Sequence, residues 1–452
     1  MLAGSGVPLE VVSINSEGEL ANDFVELHAY SGDGRYAVFE SFATNLVDDG
    51  GQGGVFLHDR QTNLTERVSL DSDDAPLPDD FFIGNPPAVS DDGRFVAFEY
   101  AGSDFSLLLR DRVLGTTTRI DFNDEGEPVD ASLHGISGDG RFVLFSSDAN
   151  YIVGEDFNFD TDLFVFDRQT GAYDLVSEAT DGFAGDSFTP SGRISGDGRF
   201  VTFVSDAGNL VAGDTNGIQD VFLRDRQAGT TVRVSVFDDG GQVDTGDSLD
   251  HVYFEPGDVS DDGAIVAFQS LAEGLDPAFP DDAGLYVRDL TAGTTRLVSL
   301  SNFGTAAQTP TQVRLFSLSG DGRFVAFRAI PDADLSTGEV SEFGNGGLYL
   351  RDLALGVTLR PIRSADGQPV DGYVGLGLLS DDGTSMAFLS DATNWGSARP
   401  ISPCRPSSRT SPVRQSSRTC GRTPFTWPGR RPPPRSRVFA SLTPMTFRCL
   451  RP

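Results

Sequence analysis

Residues Ser195 to Ser235 read SGDGRFVTFVSDAGNLVAGDTNGIQDVFLRDRQAGTTVRVS, and this stretch decides the fold. Asp197-Gly198 stands just before an alternating apolar run. Asp-Gly between two strand patterns is a strong hairpin signal, because glycine takes positive φ without a Cβ clash and Asp can bond the turn amides. A second apolar run ends in Asp225-Arg226, and a third, TVRVS, follows directly. With the approach to Ser195, the unit offers four short strands.

Working outward, the opening motif recurs as SGDGRYAVF from Ser31, SDDGRFVAF from Ser90, SGDGRFVLF from Ser137, SDDGAIVAF from Ser260, SGDGRFVAF from Ser319 and SDDGTSMAF from Ser380. The seven copies are spaced 47 to 65 residues apart. The second motif returns as VFLHDR ending at Arg60, LLLRDR at Arg112, LFVFDR at Arg168, LYVRDL at Leu290 and LYLRDL at Leu353. The third returns as TERVSL, TTRID, DLVSE, TRLVSL and TLRPI. A four-stranded antiparallel unit with two apolar faces cannot bury both alone, so its neighbours must stack against it. The expectation is an all-β chain, a seven-bladed β-propeller of four-stranded antiparallel blades. The period exceeds the usual propeller repeat, but the excess sits in polar Gly/Asp-rich loops that are cheap to lengthen.

The chain opens with LEVVSIN (Leu9 to Asn15), a third motif with nothing before it, while the seventh unit has its first two strands within Gly372 to Ser390 and then loses the pattern. Phase therefore predicts that the N-terminal strand closes the seventh blade, which removes exposed edges. A gap or a poorly ordered substitute is expected at that blade's third strand.

The Ser-x-Asp-Gly-Arg-Phe-Val-Ala-Phe turn, followed by Asp-Val-Phe-Leu-Arg-Asp-Arg and Thr-x-Arg-Val-Ser, resembles the WD40-like propeller repeat of TolB-type bacterial proteins over residues 9 to 395. The resemblance implies a fold and leaves activity open, since such propellers serve as binding platforms, as companions of peptidases and, less often, as lyases. Ala264 and Thr384 replace the motif Arg in blades five and seven.

Composition divides the chain into a propeller, 1–395, and a tail, 396–452. The tail holds Cys404, Cys420 and Cys449 and twelve Arg but no Asp or Glu, so all 67 acids lie in the body and the chain's charge is −33. Its Arg/Pro/Ser content suits a disordered basic extension. A sharper reading is translation out of frame: joining each third base to the next codon's first two lets the Pro432-Pro433-Pro434 run spell Thr-Thr and Arg422-Thr423 give Asp, restoring the blade spacing. Flanking DNA decides between the two. Net negative charge opposes phosphate binding, so no nucleic-acid partner is expected. No run of eighteen apolar residues argues for membrane insertion. The opening MLAGSGVPLEVVSI has no export-signal pattern. A segment missing upstream would place the protein outside the cytoplasm or in the periplasm, and otherwise it is cytoplasmic. A monomer is expected.

The motif acids Asp33, Asp92, Asp139, Asp197, Asp262, Asp321 and Asp382 read as turn formers, and Asp59, Asp111, Asp167, Asp225, Asp289 and Asp352 as ion pairs or caps at strand ends. The best metal signal is GEDFNFDTDLF, where Asp156, Asn158, Asp160 and Asp162 alternate as hard-oxygen ligands would around Ca²⁺, without the EF-hand Gly or Glu. Asp214, Asn216 and Asp220 echo it in blade four. A solvated polar turn explains the same residues. Of His28, His58, His134 and His251, the pair His28 and His134 stand three residues before their motif Ser and share a level on the innermost strands. No nucleophile elbow, zinc helix or phosphate loop is present. The sequence thus predicts a non-catalytic scaffold that binds a protein, peptide or glycan. Its rivals are a lyase or glycosidase with paired channel carboxylates and a frameshifted product without selected function.

Overall fold

The computed structural model describes residues 9–50, 53–78, 85–102, 105–149, 151–153, 160–243, 254–282, 284–307, 316–329, 334–337, 347–364, 368–394 and 437–441. These form seven four-stranded sheets, all antiparallel, each contacting the next around a closed circle. The chain is a seven-bladed β-propeller. Blade one consists of Val25–Tyr30, Tyr36–Ser41, Gly54–Asp59 and Leu64–Arg67, in that order from the axis outward. In every blade the first and second strands are joined at one face by the Ser-x-Asp-Gly turn. The opposite face carries the longer connections.

The turns form for the reason the sequence suggests. In blade four, Ser195 Oγ donates to Asp197 Oδ1 (2.6 Å) and accepts the amide of Phe200 (3.0 Å), while Asp197 Oδ1 accepts the amide of Arg199 (2.9 Å). Gly198 sits at φ 71°, a conformation that disfavours any side chain. The same Ser–Asp bond spans 2.6–2.8 Å in the other six blades.

Packing follows the repeat. Cross-strand pairs Phe39–Phe56, Phe145–Phe164, Phe203–Phe222, Phe268–Tyr286 and Phe327–Tyr349 stack with centroids 5.5–6.0 Å apart at the middle of their blades. All ten rings are nearly inaccessible to solvent. The motif Arg pairs with the Asp ending strand three: Arg35–Asp59, Arg94–Asp111, Arg141–Asp167, Arg199–Asp225 and Arg323–Asp352, at 2.6–2.8 Å. Those Asp residues also cap the following turn, as Asp225 does for the amides of Gln227 and Ala228. Both expectations for these acids hold. In blade five, where Ala264 stands in the Arg position, Asp289 keeps the cap alone, through the amide of Ala292.

The seventh blade orders as Val374–Leu379, Met386–Ser390, Arg437–Ser441 and then Leu9–Val11. The N-terminal strand is therefore the outer strand of this blade, as its phase predicts. Glu10 behaves as the matching acids of other fourth strands do, reaching Arg60 of blade one at 3.3 Å just as Asp174 reaches Arg226 of blade four at 3.0 Å. Of the gap or substitute expected at the third strand, the structure has a substitute: Arg437–Ser441, from the tail, occupies it. It pairs with Met386–Ser390 on one side and Leu9–Val11 on the other. An empty slot would leave two ladders unpaired, and Val438 contributes a fully buried side chain to the core shared by blades seven and one. The remaining residues of the tail lie outside the described residues.

Candidate functional site

At the turn face, the second residue of each motif meets its neighbours around the axis. Gly32 donates to Asp91 Oδ1 (3.0 Å), the Asp91 amide to Gly138 O (2.8 Å), Gly138 to Gly196 O (2.7 Å) and Gly196 to Asp261 Oδ1 (3.0 Å). The Asp261 amide then donates to Gly320 O (2.9 Å), Asp321 to Asp381 O (3.0 Å) and Asp381 to Gly32 O (2.8 Å). Each bond crosses from one blade to the next, so all seven blades are tied by one closed ring. Three acids and four glycines share the floor: a methyl on Gly32 would displace the carboxylates of Asp381 and Asp91 from their present positions, and one on Gly138 that of Asp91.

The floor acids are electrostatically tense. Burial, then the charges of Asp91 and Asp261, push Asp381 up to about 7. Asp91 and Asp261 are also raised, burial first, each eased by the glycine amide it accepts. In the sequence this trio is hidden beside the turn-forming acids Asp92, Asp262 and Asp382 that follow it. The signal lies one residue earlier, where Gly32, Asp91, Gly138, Gly196, Asp261, Gly320 and Asp381 are all either Gly or Asp.

One second-strand position, farther from the turns, breaks the repeat. After the central Phe of strand two come Glu40, Glu99, Ser146, Val204, Gln269, Arg328 and Leu389 in blades one to seven. Glu99 accepts the amide of Asn85 (3.0 Å), its Nδ2 (2.9 Å) and the amide of Leu133 in blade three (2.6 Å). The guanidinium of Arg328 lies 4.8 Å from the ring of Tyr373 and donates to Val374 O (3.2 Å). Asp258 accepts the amide of Leu318 (3.0 Å) with Arg193 at 3.8 Å, and burial raises its carboxyl.

His28 and His134 occupy equivalent irregularities on first strands, at the register shifts Leu27/Ala29 and Leu133/Gly135. His134 Nε2 lies 2.9 Å from Ser146 Oγ, and burial lowers its pKa to about 4. His28 Nε2 lies 3.5 Å from Glu40 Oε2. His58 is fully buried against Thr65 Oγ1 (2.8 Å) and is likewise pushed to about 4 by burial. His251 lies outside the described residues.

Of the expected calcium ligands, Asp156 and Asn158 lie outside the described residues. Asp160 is half-buried, and Asp162 is fully buried, where it accepts Ser177 Oγ at 2.5 Å. Asp220 is its equivalent and accepts Ser235 Oγ. In blade four Asp214, Asn216 and Asp220 do converge, but around Arg233, whose Nη1 lies 3.1 Å from Asp214 and 3.0 Å from Asp220. Asn216 Nδ2 donates to Asp220 at 2.9 Å. The guanidinium of Arg233 therefore lies among the three residues expected as a weaker calcium site.

TolB from Acinetobacter baumannii superposes with a TM-score of 0.38 at 15% identity, covering 73% of this chain and 60% of that one. The chain thus spans less than two thirds of that TolB. An oligogalacturonate lyase from Vibrio parahaemolyticus gives a TM-score of 0.48 at 12% identity, over 85% of this chain and 93% of that one. The β-propeller domain of the Trilobed protease from Pyrococcus furiosus gives 0.48 at 13%, over 81% and 91%. No family model and no curated protein matches the chain. Among the described residues no helix is long and apolar enough to cross a membrane.

Proposed function

We propose that this propeller is a non-catalytic recognition scaffold that binds a protein, peptide or glycan at the channel mouth opposite the Asp-Gly turns. One observation carries the reading: the repeated polar residues are consumed by turn caps and ion pairs, whereas Glu40, Arg328 and Leu389, which break the repeat at one second-strand position, stay partly exposed. At that position Glu40 of blade one and Arg328 of blade six are partly exposed, and Arg328 stacks on Tyr373. A mixed rim of this kind suits a ligand with both donors and acceptors. On glycan and peptide arrays, wild type is expected to retain one ligand class, and Arg328→Ala to weaken it by about tenfold. A panel of hydrolase and lyase substrates is expected to show no turnover.

A second reading has its own support. Asp91, Asp261 and Asp381 converge from different blades, and a carboxyl titrating near neutrality can serve as a general acid beside an ionised partner. Turnover of any substrate in the panel, abolished by Asp381→Asn, would overturn the scaffold reading in favour of this one. Calcium at residues 156–162 is a separate proposal. It requires EDTA to lower the melting temperature and Ca²⁺ to restore it, and an unmoved melt removes it.

A further inference from the structure

We propose that Glu26, His28 and Glu40 of blade one form a binding site for a divalent transition ion of the Zn²⁺/Co²⁺ class. The site shares Glu40 with the scaffold reading but is tested apart from it. Glu26 and Glu40 are directly opposed across the first two strands. Like charges in that relation repel. One oxygen from each and a ring nitrogen of His28 lie within 4.8 Å of one another. Donors bound at about 2.1 Å from one ion can be at most about 4.2 Å apart, so a small rotation of Glu26, the exposed member, completes the set.

Two further observations point to a missing cation. His28 Nε2 is buried without a hydrogen bond, its nearest paired oxygen being Glu40 Oε2 at 3.5 Å, although its equivalent His134 finds Ser146 Oγ at 2.9 Å. A buried polar atom left unmatched is costly, so an electrophile there explains its tolerance. Glu40 is also short of donors, for a reason written in the sequence. Its equivalent Glu99 takes the amide of Leu133 from the next blade, whereas the position matching Leu133 in blade two is Pro86, which has no N–H to give. Among the described residues no guanidinium pairs with Glu26 or Glu40.

The chemistry of the set selects the ion class. One imidazole with two carboxylates suits borderline ions better than Ca²⁺ or Mg²⁺, which favour all-oxygen shells. Three protein donors leave a position open. Since Glu26 is exposed, that position faces solvent, and an ion there could bind a donor atom of a ligand at the channel mouth.

The test is a Co²⁺ titration of the full chain after removal of metal by chelation, followed by visible absorption. Wild type is expected to bind one equivalent with bands of nitrogen and oxygen ligation, displaced by Zn²⁺. His28→Ala should abolish the signal, Glu40→Gln should weaken binding by about tenfold or more, and His134→Ala should leave it unchanged. Pro86→Ala removes no ligand but returns an amide to compete for Glu40, so it too should weaken binding. Should His28→Ala fail to fold, Glu40→Gln and Pro86→Ala carry the test. The proposal is overturned by absence of a signal in wild type. A thiolate-to-cobalt charge-transfer band would overturn it too, placing the ion on Cys404, Cys420 or Cys449, as would binding that Glu40→Gln leaves untouched.

Discussion

Val12→Asp is expected to destabilise the protein by about 4 kcal/mol or more, the cost of an unpaired charge in an apolar core. Val12 is fully buried among Leu27, Phe39, Ala387 and Val438, so its side chain joins blade one to blade seven. Its amide donates to Val438 O at 3.0 Å, and Ser13 Oγ accepts the amide of Val438 at 3.2 Å. A thermal melt followed by circular dichroism reads the effect, with size-exclusion chromatography to detect opened or associated rings. Val113→Asp is the control, since Val113 is 72% exposed on an outer turn and its replacement should move the melt little. A Val12→Asp protein that melts with wild type would mean that the N-terminal strand does not seal the ring.

The second large effect depends on pH. Asp381 titrates at about 7 in the folded chain against an ordinary value of 3.8. Because the folded pKa is the higher one, the folded state holds the extra proton between these values. Stability from this group is complete below about pH 4, falls as pH rises through the interval and is fully lost above about pH 7. Asp381→Asn keeps the shape and removes the charge. It should therefore stabilise the protein at pH 8 by about 1–2 kcal/mol, after discounting for the partial exposure of the carboxylate, and the gain should shrink toward zero near pH 4. Denaturant melts of both proteins across that range give the answer. Since Asp91 and Asp261 share the floor, the midpoint belongs to the trio rather than to one residue. A gain independent of pH would show that the floor carboxylates are not electrostatically coupled.

The blade count, the strand order and the closing role of Leu9–Val11 were legible because each blade repeats the same physics: an Asp-Gly turn, a period-two strand and an acid that caps the next turn. Strand Arg437–Ser441 was not, because a segment rich in Arg, Pro and Ser reads as unable to order itself, and only the vacancy between two existing strands gives RVFAS a place. The floor acids were hidden by equivalence. Asp91, Asp261 and Asp381 look like ordinary turn residues one at a time and become a site only when seven turns face one axis. In blade four, the alternating oxygens of Asp214, Asn216 and Asp220 were visible, but that they surround Arg233 depends on a side chain thirteen positions beyond Asp220. The rim was missed since Glu40, Glu99 and Arg328 lie within strands that otherwise match the repeat.

The seal between Val12 and Val438 also sets a clock on biosynthesis. Leu9 leaves the ribosome 441 − 9 = 432 residues before its strand partner Ser441, and at about 5–20 residues per second that interval is roughly 20–90 seconds. Throughout it blade one shows an apolar face with nothing to cover it, and the six earlier blades form an arc that cannot yet become a circle. Delay at the late codons, or a protease reaching the waiting arm, would therefore damage the whole protein rather than its last blade.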